Sequence, residues 1–155
     1  MIAGLIIGLC AYLYQNCVNN IVGAFLFGIG LVTICECKLP LFTGRVGSSN
    51  DVKFLAKTFF LNIIGILIAK AIFTYLPYYL AMGIGCGMLM QIGVVMYRRT
   101  PLVTIMCIAA FILCGFKHCI AMAFNHVDPI VWLLVIAGNI IGAKIMFIGG
   151  VKNGN

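Results

Sequence analysis

Only five short connections interrupt the apolar run of this chain: "YQNCVNN" (14 to 20), "GRVGSSNDVK" (44 to 53), "TYLPYY" (74 to 79), "YRRTP" (97 to 101) and "FNHVDP" (124 to 129). Turn-forming and polar residues gather there and leave six apolar stretches between them. A spanning helix needs about 20 predominantly apolar residues, so at most six spans fit. They are expected near residues 2–14, 21–38, 54–73, 79–97, 102–115 and 130–150. A soluble fold is excluded by composition. Hydrophobic residues make up 64% of the chain and charged ones 8%, against roughly 25% charged in soluble domains. The first stretch has no basic region before it and no distinct small-residue cleavage site, so it reads as a span rather than a signal peptide.

Charge placement orients the spans. Arg45, Lys53 and Lys57 lie at the second connection, Arg98 and Arg99 at the fourth and Lys152 in the tail, whereas the first, third and fifth connections have no Lys or Arg. Basic loops stay on the cytoplasmic side. Both termini are therefore expected in the cytoplasm, with the protein multi-pass in the cell (inner or plasma) membrane. The net charge of +7 is scattered along the chain, with no basic stripe among exposed aromatics, which argues against nucleic acid. Most of the eight cysteines, including Cys10, Cys35, Cys86, Cys107 and Cys114, sit in apolar runs, where a thiol behaves as a small hydrophobe. Cys114, His118, Cys119 and His126, with Cys35 and Cys37, contain no C-x-x-C pair, so no metal and no cofactor is expected.

"NIIG" occurs at Asn62 to Gly65 and again at Asn139 to Gly142, 77 positions apart, which is half the chain. The same offset carries Ile7-Gly8 onto Ile84-Gly85. A repeat of three spans has to insert inverted, and inverted repeats enclose substrate paths near the midplane. The chain thus reads as one transmembrane domain over residues 1–155, with halves of about 1–76 and 77–155. Asn62, Gly65, Asn139 and Gly142 are helix-packing positions in this reading. The second span is interrupted by "ECKLPLFTG" (36 to 44) and the fifth by "GFKHC" (115 to 119), at corresponding places in the two halves. Irregular backbone at membrane depth is tolerated only where it is buried in protein or lines a water-filled cavity.

The ionisable residues at these breaks point to transport. His118 lies in an apolar run, and intramembrane ionisable groups are costly and line pathways by default. A histidine titrates near neutrality and can lend a proton to a weak acid. Lys117 beside it is expected to attract anions or to pair with Glu36, the one acidic residue inside a span, with Lys38 near that matching break. Lys70 and Lys144 read as side chains that snorkel to an interface. Phe42 and Phe116, next to the breaks, suit apolar constrictions that strip water from an ion. Trp132, Tyr78, Tyr79 and Tyr97 read as interface anchors.

"LFTG" (Leu41 to Gly44), "GFKHCIAMAF" (Gly115 to Phe124) and "GNIIG" (Gly138 to Gly142), in that order, resemble the formate/nitrite transporter family, and the resemblance touches most of the chain. It implies an all-α, aquaporin-like fold of six transmembrane helices in a 3+3 inverted repeat. It further implies broken second and fifth helices and a homopentamer with one pore per subunit. Thr43 then corresponds to the family's threonine on the second-helix loop and His118 to its central histidine, with Leu41, Phe42, Phe116 and Lys117 along the path. The family has acidic residues where this chain has Lys117 and Pro40, an asparagine where it has Met122, and a second half to each broken helix, so this is an abbreviated member. The expected function is a passive or proton-coupled channel for small monovalent anions such as formate, nitrite, hydrosulfide or a short carboxylate. The partners are then a small anion, a proton and the lipid bilayer, and no enzymatic chemistry is expected. The alternatives are a neutral-solute pore for ammonia or urea, and a membrane haem, metal-binding or structural subunit.

Overall fold

The computed structural model describes residues 1–152, and within them every regular element is a helix. In chain order these are α1 (Ile2–Asn16), α2 (Asn20–Glu36), α3 (Phe42–Arg45), α4 (Val52–Tyr75), α5 (Tyr78–Met96), α6 (Pro101–Leu113), α7 (Cys119–Met122) and α8 (Pro129–Ile148). The six apolar stretches each form one helix, with ends within two residues of the expected bounds. The single turns α3 and α7 follow the breaks after α2 and α6.

Local chemistry sets the helix starts. The Asn19 side chain accepts from the amides of Ile21 and Val22, that of Asp51 from Phe54, and that of Asp128 from Ile130 and Val131. Each satisfies amides that a first turn leaves without partners. Pro101 and Pro129 open α6 and α8, where a missing N–H costs nothing. Asp51 and Asp128 stand at the same 77-residue offset as the two "NIIG" segments.

Helix length separates two classes. α4, α5 and α8, of 24, 19 and 20 residues, are long and apolar enough to cross a membrane. α1, α2 and α6 have 15, 17 and 13 residues. The six expected spans are thereby narrowed to three of membrane length. At about 1.5 Å per residue, a 13-residue helix covers roughly 20 Å of a hydrocarbon core about 30 Å thick. α6 is therefore too short to cross such a core in one piece, and the chain breaks directly after it.

α5 is the buried centre: 72% of its most apolar window is enclosed, against 22% for both α4 and α8, which turn most of their apolar surface outward. α1 lies along α4, and α5 along α8, in parallel pairs at backbone contact. A Cβ on Gly4 would overlap the Asn62 carbonyl, and one on Gly87 the Asn139 carbonyl. Across each pair Gly65 abuts the Met1 carbonyl and Gly142 the Ile84 carbonyl. Small residues allow this approach, and the packing it permits holds helices together where lipid removes the hydrophobic drive. The equivalence of Gly4 with Gly87 is an offset of 83, not 77. Ile7-Gly8 and Ile84-Gly85 therefore do not occupy matching places: Gly8 meets Ala69, while Gly85 lies under the Phe116 ring. The chain from Gly4 to the break at Lys38 is six residues longer than that from Gly87 to Gly115, mostly because α2 has 17 residues and α6 has 13, and this shifts the register between the halves.

The Ile2 side chain packs on Gly149, bringing the start of α1 to the end of α8. Tyr12, Phe73 and Met82 meet at the other end, where α1 and α4 finish and α5 begins. These contacts define two opposite ends of the molecule.

Candidate functional site

Both breaks are built alike. α2 ends in a Schellman motif in which Lys38 N–H donates to the Cys35 carbonyl (3.0 Å) and Leu39 N–H to the Ile34 carbonyl (2.9 Å). α6 ends with the same pair, from Gly115 to Ile112 (3.3 Å) and from Phe116 to Phe111 (2.9 Å). Such ends satisfy carbonyls that would otherwise lack partners and require a left-handed residue. Gly115 supplies it at φ +70° and Lys38 at φ +53°.

An asparagine holds each break. Asn62, eleventh residue of α4, accepts from Phe42 N–H (2.9 Å) and donates to the Pro40 carbonyl (3.2 Å). Asn139, eleventh residue of α8, accepts from Cys119 N–H (2.9 Å) and donates to the carbonyls of Lys117 and Gly83 (both 2.9 Å). Expected as helix-packing positions, the two amides in fact pin irregular backbone at the level of mid-helix. Gly65 and Gly142 do pack helices. Trp132, expected as an interface anchor, donates from Nε1 to the Cys119 carbonyl (2.9 Å) and fixes α7 as well. Among the described residues no buried side-chain nitrogen or oxygen lacks a partner, as buried polar groups require.

The two phenylalanines have different fates. Phe116, 4% exposed, stacks with Tyr12 (centroids 5.7 Å apart) and Phe73 (5.9 Å), which stack on each other at 4.1 Å. This aromatic stack lies where α1 and α4 finish, beside a cavity that Tyr12 and Phe73 line. Phe42 packs edge-on against Phe59 of α4 (5.2 Å) and is no part of the stack. Leu41 is half-buried and lines a cavity of about 430 Å³ with Leu39, Lys38 and Arg45.

His118 caps α7. Its Nδ1 accepts from Ala121 N–H at 3.3 Å, so the neutral ring carries its proton on Nε2. The imidazole lies 6.1 Å from the Phe111 ring and lines a cavity of about 370 Å³. The cation sharing that cavity is Lys144 of α8, together with Asn139 and Met90. Lys117, adjacent to His118 in sequence and the cation expected here, does not line this cavity, and Lys144, expected at an interface, does. The backbone of Lys117 is instead tied to α5 and α8, its N–H donating to the Met82 carbonyl at 3.4 Å. Thr43 is exposed on α3 and does not line the His118 cavity, so the two loops do not bring these residues together. Glu36 is no partner of Lys117 either, for it belongs to the end cavity described next.

A polar cavity opens at each end. At the end where α1 and α4 finish, about 520 Å³ is lined by Tyr12, Gln15, Asn16, Lys70, Phe73 and Thr74. At the end where α5 and α8 finish, about 780 Å³ is lined by Glu36, Lys38, Gln91, Arg99 and Lys152 among others. The two are built from corresponding residues: Gln91, Val95 and Arg99 of the second replace Gly8, Tyr12 and Asn16 of the first, and Gly150 replaces Phe73. The Tyr12–Phe73–Phe116 stack therefore has no counterpart in the second cavity among the described residues.

No group of three or more His, Cys, Asp or Glu among the described residues is placed to hold a metal ion. No family model, curated protein or solved structure matches the chain.

Proposed function

We propose that this protein is a membrane channel for small monovalent anions of the formate and nitrite class, passive or proton-coupled, with a fold similar to that of formate/nitrite transporters. In this reading the halves form a 3+3 inverted repeat of six spans, with α2 and α6 as the broken helices. Both termini face the cytoplasm, and five copies close into a ring. The observation that carries the reading is the pair of mid-helix asparagines, each holding a backbone break at the same offset. Matched helix breaks of this kind mark substrate sites in inverted-repeat transporters, and here the break is secured twice in the same way.

The chemistry fits a weak acid. His118 offers an imidazole, a side chain able to exchange a proton with a weak acid, and Lys144 in the same cavity favours an approaching anion. An acid that takes a proton there crosses the apolar interior without the desolvation penalty of its ion. The polar cavities at opposite ends supply water-accessible approaches, and the Phe116 stack is the constriction between one of them and the centre. A neutral-solute pore has less support, since a solute such as ammonia has no use for Lys144. Formate uptake into proteoliposomes tests the function: flux well above that of empty vesicles is expected, and flux equal to theirs contradicts it. A purified particle in native-like lipid is expected to show five-fold symmetry, and a stable monomer contradicts the ring.

A further inference from the structure

Three helices of this protein, α2, α6 and α8, end in the same Schellman geometry, with the amide two residues past the C-cap bonded back to the helix. At the left-handed position α6 uses Gly115 and α8 uses Gly150, and only α2 uses a residue with a side chain, Lys38. A Cβ is disfavoured in that conformation and glycine is free of the penalty. Lys38 is the one non-glycine residue with positive φ among the described residues, and backbone strain of this kind gathers at ligand sites. Lys38 lines the larger end cavity, about 780 Å³, together with Arg99, Lys152 and Glu36.

We propose that this cavity binds a doubly charged oxyanion, a phosphate or phosphate monoester, with Lys38 as its principal cation. Charge selects the class. Three cations against one carboxylate leave two positive charges, which a dianion neutralises. The opposite cavity has a single cation, Lys70, among neutral side chains. Arg99 is held for the purpose, because its Nη1 donates to the Glu36 carbonyl (2.9 Å) and to Cys37 Sγ (3.8 Å), leaving the other guanidinium donors unengaged by these contacts. Arg99 is solvent-exposed, and a guanidinium fork is a preferred partner of a phosphate group. Gln91 donates to the Val151 carbonyl (2.9 Å) and so ties down the residue before Lys152. The same cavity is one of the two approaches of the proposed channel, but phosphate binding there does not require transport, and its failure would leave the proposed channel untouched.

Binding of radiolabelled inorganic phosphate to the full chain in phosphatidylcholine nanodiscs at pH 8, where phosphate is a dianion, tests the proposal. Saturable binding is expected, displaced by sulfate but not by equal formate. Lys38→Gly is expected to weaken it about tenfold, the loss of one charge-assisted contact. The same variant should raise the melting temperature by about 2–4 °C, because glycine relieves the left-handed residue. That opposite pair of shifts separates a binding role from a structural one. Lys152→Gln, which alters no helix, is expected to weaken binding as well. Absence of saturable binding, or unchanged affinity in both variants, overturns the proposal. Displacement of phosphate when phosphatidylglycerol is added to the discs also overturns it, since the ligand would then be a lipid headgroup.

Discussion

Asn62 and Asn139, 77 positions apart, make the same pair of bonds: each accepts the amide of the residue that opens a one-turn helix and donates to the carbonyl two residues earlier. Asn139 adds a third bond, to the Gly83 carbonyl of α5. Losing either amide strands backbone groups at membrane depth, at a cost of about 1–3 kcal/mol per group. Asn139→Ala should therefore destabilise the protein more than Asn62→Ala. Thermal unfolding in detergent checks the order, and hydrogen exchange should quicken at residues 117–122 in the first variant and at 40–45 in the second.

Gly142 and Gly44 differ in what surrounds them. A Cβ at Gly142 would overlap the Ile84 carbonyl, whereas one at Gly44 meets nothing within 4 Å. Gly142→Ala should force α5 and α8 apart and cost about 1–3 kcal/mol, the usual penalty of overpacking. Gly44→Ala should leave the melting temperature nearly unchanged. Equal effects would contradict the close helix pairing.

Lys144 shares the His118 cavity and the Lys117 backbone is fixed elsewhere. Lys144→Met should lower the preference for anions over neutral solutes by about tenfold, the lower end of local electrostatic focusing. Lys117→Met should change it less. Reversal-potential and solute-uptake measurements on reconstituted protein decide between them.

The basic residues Arg98, Arg99 and Lys152 gather at the end where α5 and α8 finish, and Asp128 opens α8. Single cysteines placed beside Arg98 and beside Asp128, in a background lacking the native thiols, should label from the cytoplasm and from outside, respectively. The opposite pattern would invert the orientation.

Much of this architecture was legible because its causes are local. Apolar runs bounded by Asn19, Asp51, Pro101 and Asp128 set the helices, and the repeated "NIIG" marked the two residues that hold the breaks. The role of those asparagines was hidden, since an amide partner 20 residues away leaves no trace in a tetrapeptide. The cation of the His118 cavity was hidden for a similar reason. Lys117 is adjacent in sequence, but Lys144 arrives through the rotation of α8 against α5 and α7, which packing alone fixes. Ile7-Gly8 and Ile84-Gly85 do not match in the structure because α2 is longer than α6, 17 residues against 13, so one offset does not serve the whole half.

The central claim, that His118 manages the proton of a permeating weak acid, is tested most directly by formate flux into liposomes across about pH 6 to 7.5, the range in which a histidine titrates. His118→Asn is the informative variant, because asparagine is a good N-cap for α7 yet has no proton to exchange. A fall in flux of about tenfold or more, with loss of its pH dependence and an unchanged melting temperature, is the expected result. Flux and pH profile equal to those of the unmodified protein would contradict the account and leave His118 as a helix cap alone.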